Sequence, residues 1–74
     1  MFEKLKNLFV EELQIDEADI TMDAELIKDL GINSIGLLYM AMAVEEEFGV
    51  KFKNEDFAGI QTVGDVIVCI EGKL

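Results

Sequence analysis

The sequence predicts an all-α fold: a bundle of three main helices plus a short helix before the last, with a long packed loop between helices one and two. Two observations carry this. Apolar residues recur at helical spacing in three separate stretches, and nowhere do they alternate as in a strand. Cap and stop residues then stand where the stretches begin and end.

Helix one is expected over residues 2–15. Phe2, Leu5, Phe9 and Leu13 make one apolar face, while Glu3, Lys4, Lys6, Asn7 and Glu11 fall off it. Residues 16–32 read as a loop rich in Asp16, Glu17, Asp19 and Asp23. Its Ile20, Leu26, Ile27, Leu30 and Ile32 are too apolar for free solvent, so the loop is expected to pack down over the helices. Helix two is expected from Ser34 to Phe48, with Asn33 or Ser34 as cap and Gly49 as stop. A second connection fills 50–61, with Asn54 as a cap for a short helix over Glu55–Gly59. Thr62 opens the last helix with Asp65 as its capping-box partner. Val63, Val66, Ile67, Ile70 and Leu74 form that helix's inner face.

Helix two has two apolar stripes. Leu37, Ala41, Val44 and Phe48 run its whole length and are assigned to the core. Ile35, Leu38 and Met42, with Tyr39 beside them, run into Glu45 and Glu46, which are not buried unpaired. That second stripe is expected at the surface, as a docking face. The competing reading makes helix two central and covered on both sides; solvent access at Ile35, Leu38 and Met42 separates the two.

Composition narrows the function. A chain of 74 residues reads as one domain with a modest core. Its 51% apolar content argues against disorder. Sixteen acids against six bases, all Lys, give a net charge of −10. Such a surface repels nucleic acid and anionic membranes and suits basic partners. The segment Met1–Lys6 lacks a signal peptide's apolar run, and Ile35–Val44 is too short to span a bilayer. A cytoplasmic protein without membrane insertion is expected.

No residue set supports catalysis or a metal. The chain has no His, so Ser-His and Cys-His pairs are excluded. A calcium loop starting at Asp19 fails, because Thr21, Ala24 and Leu30 stand where an acid, the turn Gly and the closing Glu belong. The single Cys69 beside the last helix's inner stripe reads as a small hydrophobe. Ser34, read locally, is either a helix cap or a hydroxyl at a helix N-terminus where an esterified phosphate would be stabilised.

Four segments in register resolve that choice by resemblance. Asp29-Leu30-Gly31-Ile32-Asn33-Ser34-Ile35 resembles the attachment motif of acyl and peptidyl carrier proteins, whose usual core reads Asp-Ser-Leu. Glu45-Glu46-Glu47-Phe48-Gly49, Asp23-Ala24-Glu25-Leu26 and Thr62-Val63-Gly64-Asp65-Val66 resemble the acidic end of that family's second helix, the loop before the motif and the start of its last helix. The likeness spans the whole chain. It implies an acyl-carrier-like bundle, a single carrier domain over 1–74, and a 4'-phosphopantetheine arm on Ser34 transferred from coenzyme A by a phosphopantetheinyl transferase. The arm's thiol would hold acyl or aminoacyl groups as thioesters for enzymes of fatty-acid, polyketide, nonribosomal-peptide or related biosynthesis. The chain itself would be a monomer and no enzyme.

By the same resemblance, Asn33, Ile35, Leu38, Tyr39, Met42, Glu45 and Glu46 fall on the partner-contact surface, facing loading and synthase enzymes with basic and apolar docking surfaces. Phe52, Phe57 and Ile60 line either an acyl shelter between helix two and the short helix, or plain core. Asn33, Gly36 and Tyr39 stand where the family commonly has acids. Docking there should lean on apolar contact, which points to a specialised carrier. The alternative function is an unmodified acidic helical adaptor, with Ser34 bare.

Overall fold

The computed structural model describes all residues, Met1–Leu74. Four α-helices are present: α1 (Phe2–Leu13), α2 (Ser34–Phe48), α3 (Asn54–Ala58) and α4 (Val63–Lys73), with one 3₁₀ turn at Glu17–Asp19. No strand forms; Glu25 and Thr62 make a single isolated antiparallel bridge. The fold is the expected all-α bundle with a long packed loop.

α1 buries Leu5, Leu8 and Phe9, with Phe2 and Leu13 packed half-buried at the edge. It stops two residues earlier than expected. Gln14 turns left-handed at φ 55°, and its N–H returns to the Phe9 carbonyl. That conformation costs a non-glycine residue about 1–2 kcal/mol. The turn brings Ile15 back against the core, which offsets the cost.

The loop that follows is ordered by its own apolar side chains. Ile20, Ala24, Leu26 and Ile32 are buried. Backbone bonds stitch it to the start of α4: Leu26 N–H donates to Gln61 O at 2.9 Å, Val63 N–H to Ala24 O at 3.0 Å, and Gly64 N–H to Met22 O at 2.9 Å. Ile27 departs from expectation and is 63% exposed. Neighbours on a turning backbone face opposite ways, and Leu26 takes the inward position.

α2 spans the expected residues. Its buried stripe is wider than the one read from the sequence: Met40 is fully buried beside Ala41 and Val44, and Leu37 and Phe48 are half-buried. Gly49 ends the helix at φ 69°, its N–H bonded to the Glu45 carbonyl at 2.9 Å. That left-handed turn is where glycine is least strained.

α3 begins one residue earlier than expected. Lys53 is the cap position and Asn54 the first helical residue, because the Asp56 carboxylate reaches back to accept the Lys53 N–H at 2.7 Å. None of its residues is fully buried. It is held from its sides by the half-buried rings of Phe52 and Phe57, 5.8 Å apart, and by an ion pair from Lys73 Nζ to Asp56 Oδ2 at 2.8 Å. α4 opens on the expected box. Thr62 Oγ1 accepts the Asp65 N–H at 3.1 Å, and Asp65 Oδ2 accepts the Thr62 N–H at 3.0 Å. Val63, Val66, Ile67 and Ile70 are buried. Leu74 is not; it lies past the last helical residue with nothing to cover it and is 73% exposed.

The start of the second helix as a candidate modification site

The chain reaches α2 in a fixed geometry. Gly31 takes φ 69°, Ile32 N–H donates to Leu26 O at 3.0 Å, and the Ile32 side chain is buried. Asn33 is extended, and its Oδ1 accepts the Gly36 N–H at 2.7 Å. Asn33, not Ser34, is therefore the helix cap.

This leaves Ser34 as the first helical residue, exposed, with a hydroxyl that makes no hydrogen bond within the chain. The backbone N–H groups of Ser34 and Ile35 also have no intrachain acceptor, since the cap serves Gly36 and the Asn33 carbonyl serves Leu37. No acidic residue lies in the first turn. A free hydroxyl, two unpaired donors and the positive end of a helix dipole thus coincide, an arrangement that stabilises a phosphodiester.

Beside this turn the second apolar stripe is open to solvent: Ile35 is 77%, Leu38 60% and Met42 65% exposed. The covered-helix reading fails on these values. Tyr39 is half-exposed, and its hydroxyl donates to Glu12 Oε2 of α1 at 3.2 Å. Glu46 and Glu47 are exposed. Glu45 is not free in the same way; it is half-buried, and its Oε2 accepts the Phe52 N–H at 2.7 Å. This acid is committed to holding the α2–α3 connection.

Two concavities flank α2. A small one of about 240 Å³ is lined by Leu26, Ile27, Leu37 and Ile60 with the stems of Glu25, Lys28 and Gln61. It includes Ile60 as expected, but Phe52 and Phe57 do not line it; they pack on each other instead. Ile27, outside the core, is one of its walls. A wider groove of about 640 Å³ runs between α1 and α2. Its α1 side, Glu11 and Glu12, carries no signal in one-dimensional periodicity beyond lying off the apolar face. Cys69 is half-buried on α4, and burial pushes its thiol above the ordinary 9.0.

Residues 3–70 match the family described as the phosphopantetheine attachment site. The class is thus a small helical carrier built around a covalently attached phosphopantetheine. The acyl carrier protein of Thermotoga maritima is 45% identical over 74 residues, covering all of this chain and 91% of that protein. That of Solidesulfovibrio magneticus is 45% identical over 71 residues, covering 96% and 91%. That of Coprothermobacter proteolyticus is 38% identical over 74 residues, covering 100% and 90%. The chain belongs to the acyl carrier protein family. Its cofactor is 4'-phosphopantetheine, which the exposed, unacidic start of α2 fits. As a carrier it works with transferase and synthase enzymes. No helix is long and apolar enough to cross a membrane.

Proposed function

We propose that Ser34 carries the 4'-phosphopantetheine arm and that residues 1–74 act as one carrier domain for acyl groups. One observation carries the assignment: Asn33 does the capping, so the Ser34 hydroxyl has no structural task. On modification, the Ser34 Oγ–phosphorus bond forms, the pyrophosphate bond of coenzyme A breaks, and adenosine 3',5'-bisphosphate leaves. The serine proton passes to a base on the transferase, because this chain has no His and no acid in the first turn of α2. When bound, the arm supplies a terminal thiol that holds cargo as a thioester.

The chain's own residues then do three things. The N-terminus of α2 fixes the arm's root, so tethering raises the local concentration of cargo at each partner site. The exposed Ile35, Leu38 and Met42 offer apolar contact around that root. The small concavity walled by Leu26, Ile27, Leu37 and Ile60 gives a short acyl chain an apolar resting place. The chain performs no reaction itself and works as a cytoplasmic monomer. The names of its relatives favour acyl over aminoacyl cargo. The uncharged first half of α2 supports a dedicated pathway; elongation as efficient as a general fatty-acid carrier's would remove that narrower reading.

The test is intact-protein mass spectrometry after incubation with coenzyme A, Mg²⁺ and a broad-specificity phosphopantetheinyl transferase. A gain of one phosphopantetheinyl group, absent in Ser34→Ala, is expected. No gain with several transferases would leave the unmodified adaptor, with the exposed stripe as its functional surface.

A further inference from the structure

Asp29 lies five residues before Ser34, exposed and in none of the chain's ion pairs. Its carboxylate is nonetheless engaged. Oδ2 accepts the Glu25 N–H at 2.8 Å, and the Asp29 N–H donates to the Glu25 carbonyl at 2.9 Å. The two residues thus close one turn from both ends, and the carboxylate is the only acceptor that the Glu25 N–H has. The same Glu25 carbonyl accepts the Leu30 N–H at 3.1 Å, and the Gly31 N–H donates to Ile27 O at 3.1 Å. Gly31 then turns left-handed, and the Ile32 N–H returns to Leu26 O. Asn33 and Ser34 follow directly, so this turn sets the direction in which the chain enters α2. Glu25 is tied on its other side as well. Its Oε1 accepts from Gln61 Nε2 at 2.9 Å, while the Leu26 N–H donates to Gln61 O. The turn is therefore braced against the residues that open α4.

We propose that Asp29 is a positioning residue for the modification of Ser34: it holds the Glu25–Leu30 turn closed, so that the serine meets the transferase already in place. The proposal rests on the reading of Ser34 as the attachment site. Ile27, Lys28 and Asp29 are exposed, and only Leu26 is fully buried between Glu25 and Leu30. A turn with so few buried contacts opens more readily than the helices beside it. A hydrogen bond to a carboxylate is stronger than one between neutral groups, so this single bond shifts the balance toward the closed form. Without it the transferase must select the closed fraction. Apparent affinity then falls by that fraction, while the saturated complex turns over as before. The role belongs to an acceptor oxygen aimed at the Glu25 N–H, and not to a negative charge offered to a partner.

The test follows initial rates of phosphopantetheinylation of the apo protein by intact mass, with coenzyme A, Mg²⁺ and a broad-specificity transferase, and melting confirms the fold of each variant. Asp29→Ala is expected to raise the KM for the carrier about fivefold and leave kcat nearly unchanged. Asp29→Asn keeps an oxygen for the Glu25 N–H and drops the charge, so its KM should stay within about twofold of wild type. Asp19→Ala removes an equal charge from an exposed site in the same loop and should also stay within about twofold. The KM ratio of Asp29→Ala to wild type should hold from low to moderate salt, because no lost charge contact is being screened. Amide exchange read by NMR should quicken at Glu25 and Leu30 in Asp29→Ala and not in Asp29→Asn. An unchanged KM or unchanged exchange in Asp29→Ala would overturn the role. So would an equal KM rise in Asp29→Asn or Asp19→Ala, or a ratio that collapses with salt. An arm absent from the wild type, or still attached in Ser34→Ala, would instead sink the reading of Ser34 and this role with it.

Discussion

The Asn33 side-chain oxygen lies 2.7 Å from the Gly36 amide nitrogen and accepts its hydrogen bond, so the cap and the proposed modification site are different residues of one turn. Ser34 is left with an exposed hydroxyl and no intrachain bond.

A separation of effects follows. Asn33→Ala should lower the free energy of unfolding by about 1 kcal/mol through loss of the cap. Ser34→Ala should change it by less than about 0.5 kcal/mol, as exposed substitutions do, while removing all phosphopantetheinylation. Urea unfolding of both variants beside the mass assay checks this. A Ser34→Ala loss as large as that of Asn33→Ala would make the serine structural.

Gly36 explains one missing acid. A Cβ built there meets Ile32 Cγ2 at 2.8 Å and Asn33 Oδ1 at 3.3 Å. Ile32 is buried and β-branched, so its methyl has little room to retreat. Alanine gains about 1 kcal/mol of helix propensity, but overpacking typically costs about 1–3 kcal/mol. Gly36→Ala should be net destabilising by about 1 kcal/mol, and Gly36→Glu more so. A higher denaturation midpoint for Gly36→Ala would show that Ile32 yields.

The ion pair between Asp56 and Lys73 gives a pH signature. The bond to Lys73, then the Lys53 N–H, hold the Asp56 carboxyl below its ordinary 3.8. The bond to Asp56 raises Lys73 above its ordinary 10.5. A depressed acid stabilises fully above its unfolded pKa and stops doing so as pH falls through the folded one. A raised base stabilises fully below its unfolded pKa and stops as pH rises through the folded one. The pair's contribution should therefore be flat from about pH 5 to pH 9. Melting of Asp56→Asn against wild type should show a gap at pH 7 that narrows toward pH 3. A gap that is constant, or widest in acid, would mean the pair is not what holds α3.

Much of this molecule is legible in one dimension, for identifiable reasons. Long amphipathic segments with caps, such as α2 between Asn33 and Gly49 or α4 behind Thr62 and Asp65, announce themselves because local and tertiary demands agree. The end of α1 does not, since Gln14 turns left-handed only because Ile15 finds core to pack on. Ile27 and Leu74 are apolar but exposed, and polarity alone does not tell a turn's inner residue from its outer one. The role proposed for Ser34 rests on family likeness alone in one dimension, because the freedom of its hydroxyl depends on the Asn33 rotamer. The α1–α2 groove was not legible at all, being a property of two helices packed together.

Net charge makes a further prediction. With −10 on 74 residues and no His to relieve it near neutrality, the folded chain repels itself. Only Lys6 and Lys73 are in ion pairs, Lys6 with Glu3 and Glu17. Moderate salt, or millimolar Mg²⁺, should raise the melting temperature; relief of about 1 kcal/mol corresponds to about 4–8 °C in a domain this size. A melting temperature that is flat or falls over the same range would show that repulsion is not limiting.

The holo protein carries two thiols, and the fold makes them unequal. Cys69 is half-buried on α4, where loss of solvation raises its pKa above 9.0 and the nearby Asp56 charge adds to the rise. The thiolate is the reactive form, so Cys69 is slowed both by access and by protonation. The arm's thiol, rooted by our proposal on exposed Ser34, should suffer neither. At pH 8 a limiting amount of iodoacetamide should alkylate the arm about tenfold faster than Cys69, read by mass spectrometry of intact protein and of the Cys69 peptide. Denaturant should remove most of the difference, because it restores solvation to Cys69. Equal rates in the folded protein would mean that α4 opens readily at Cys69. In that case the Asp56–Lys73 pair beside it would not be holding α3 and α4 together.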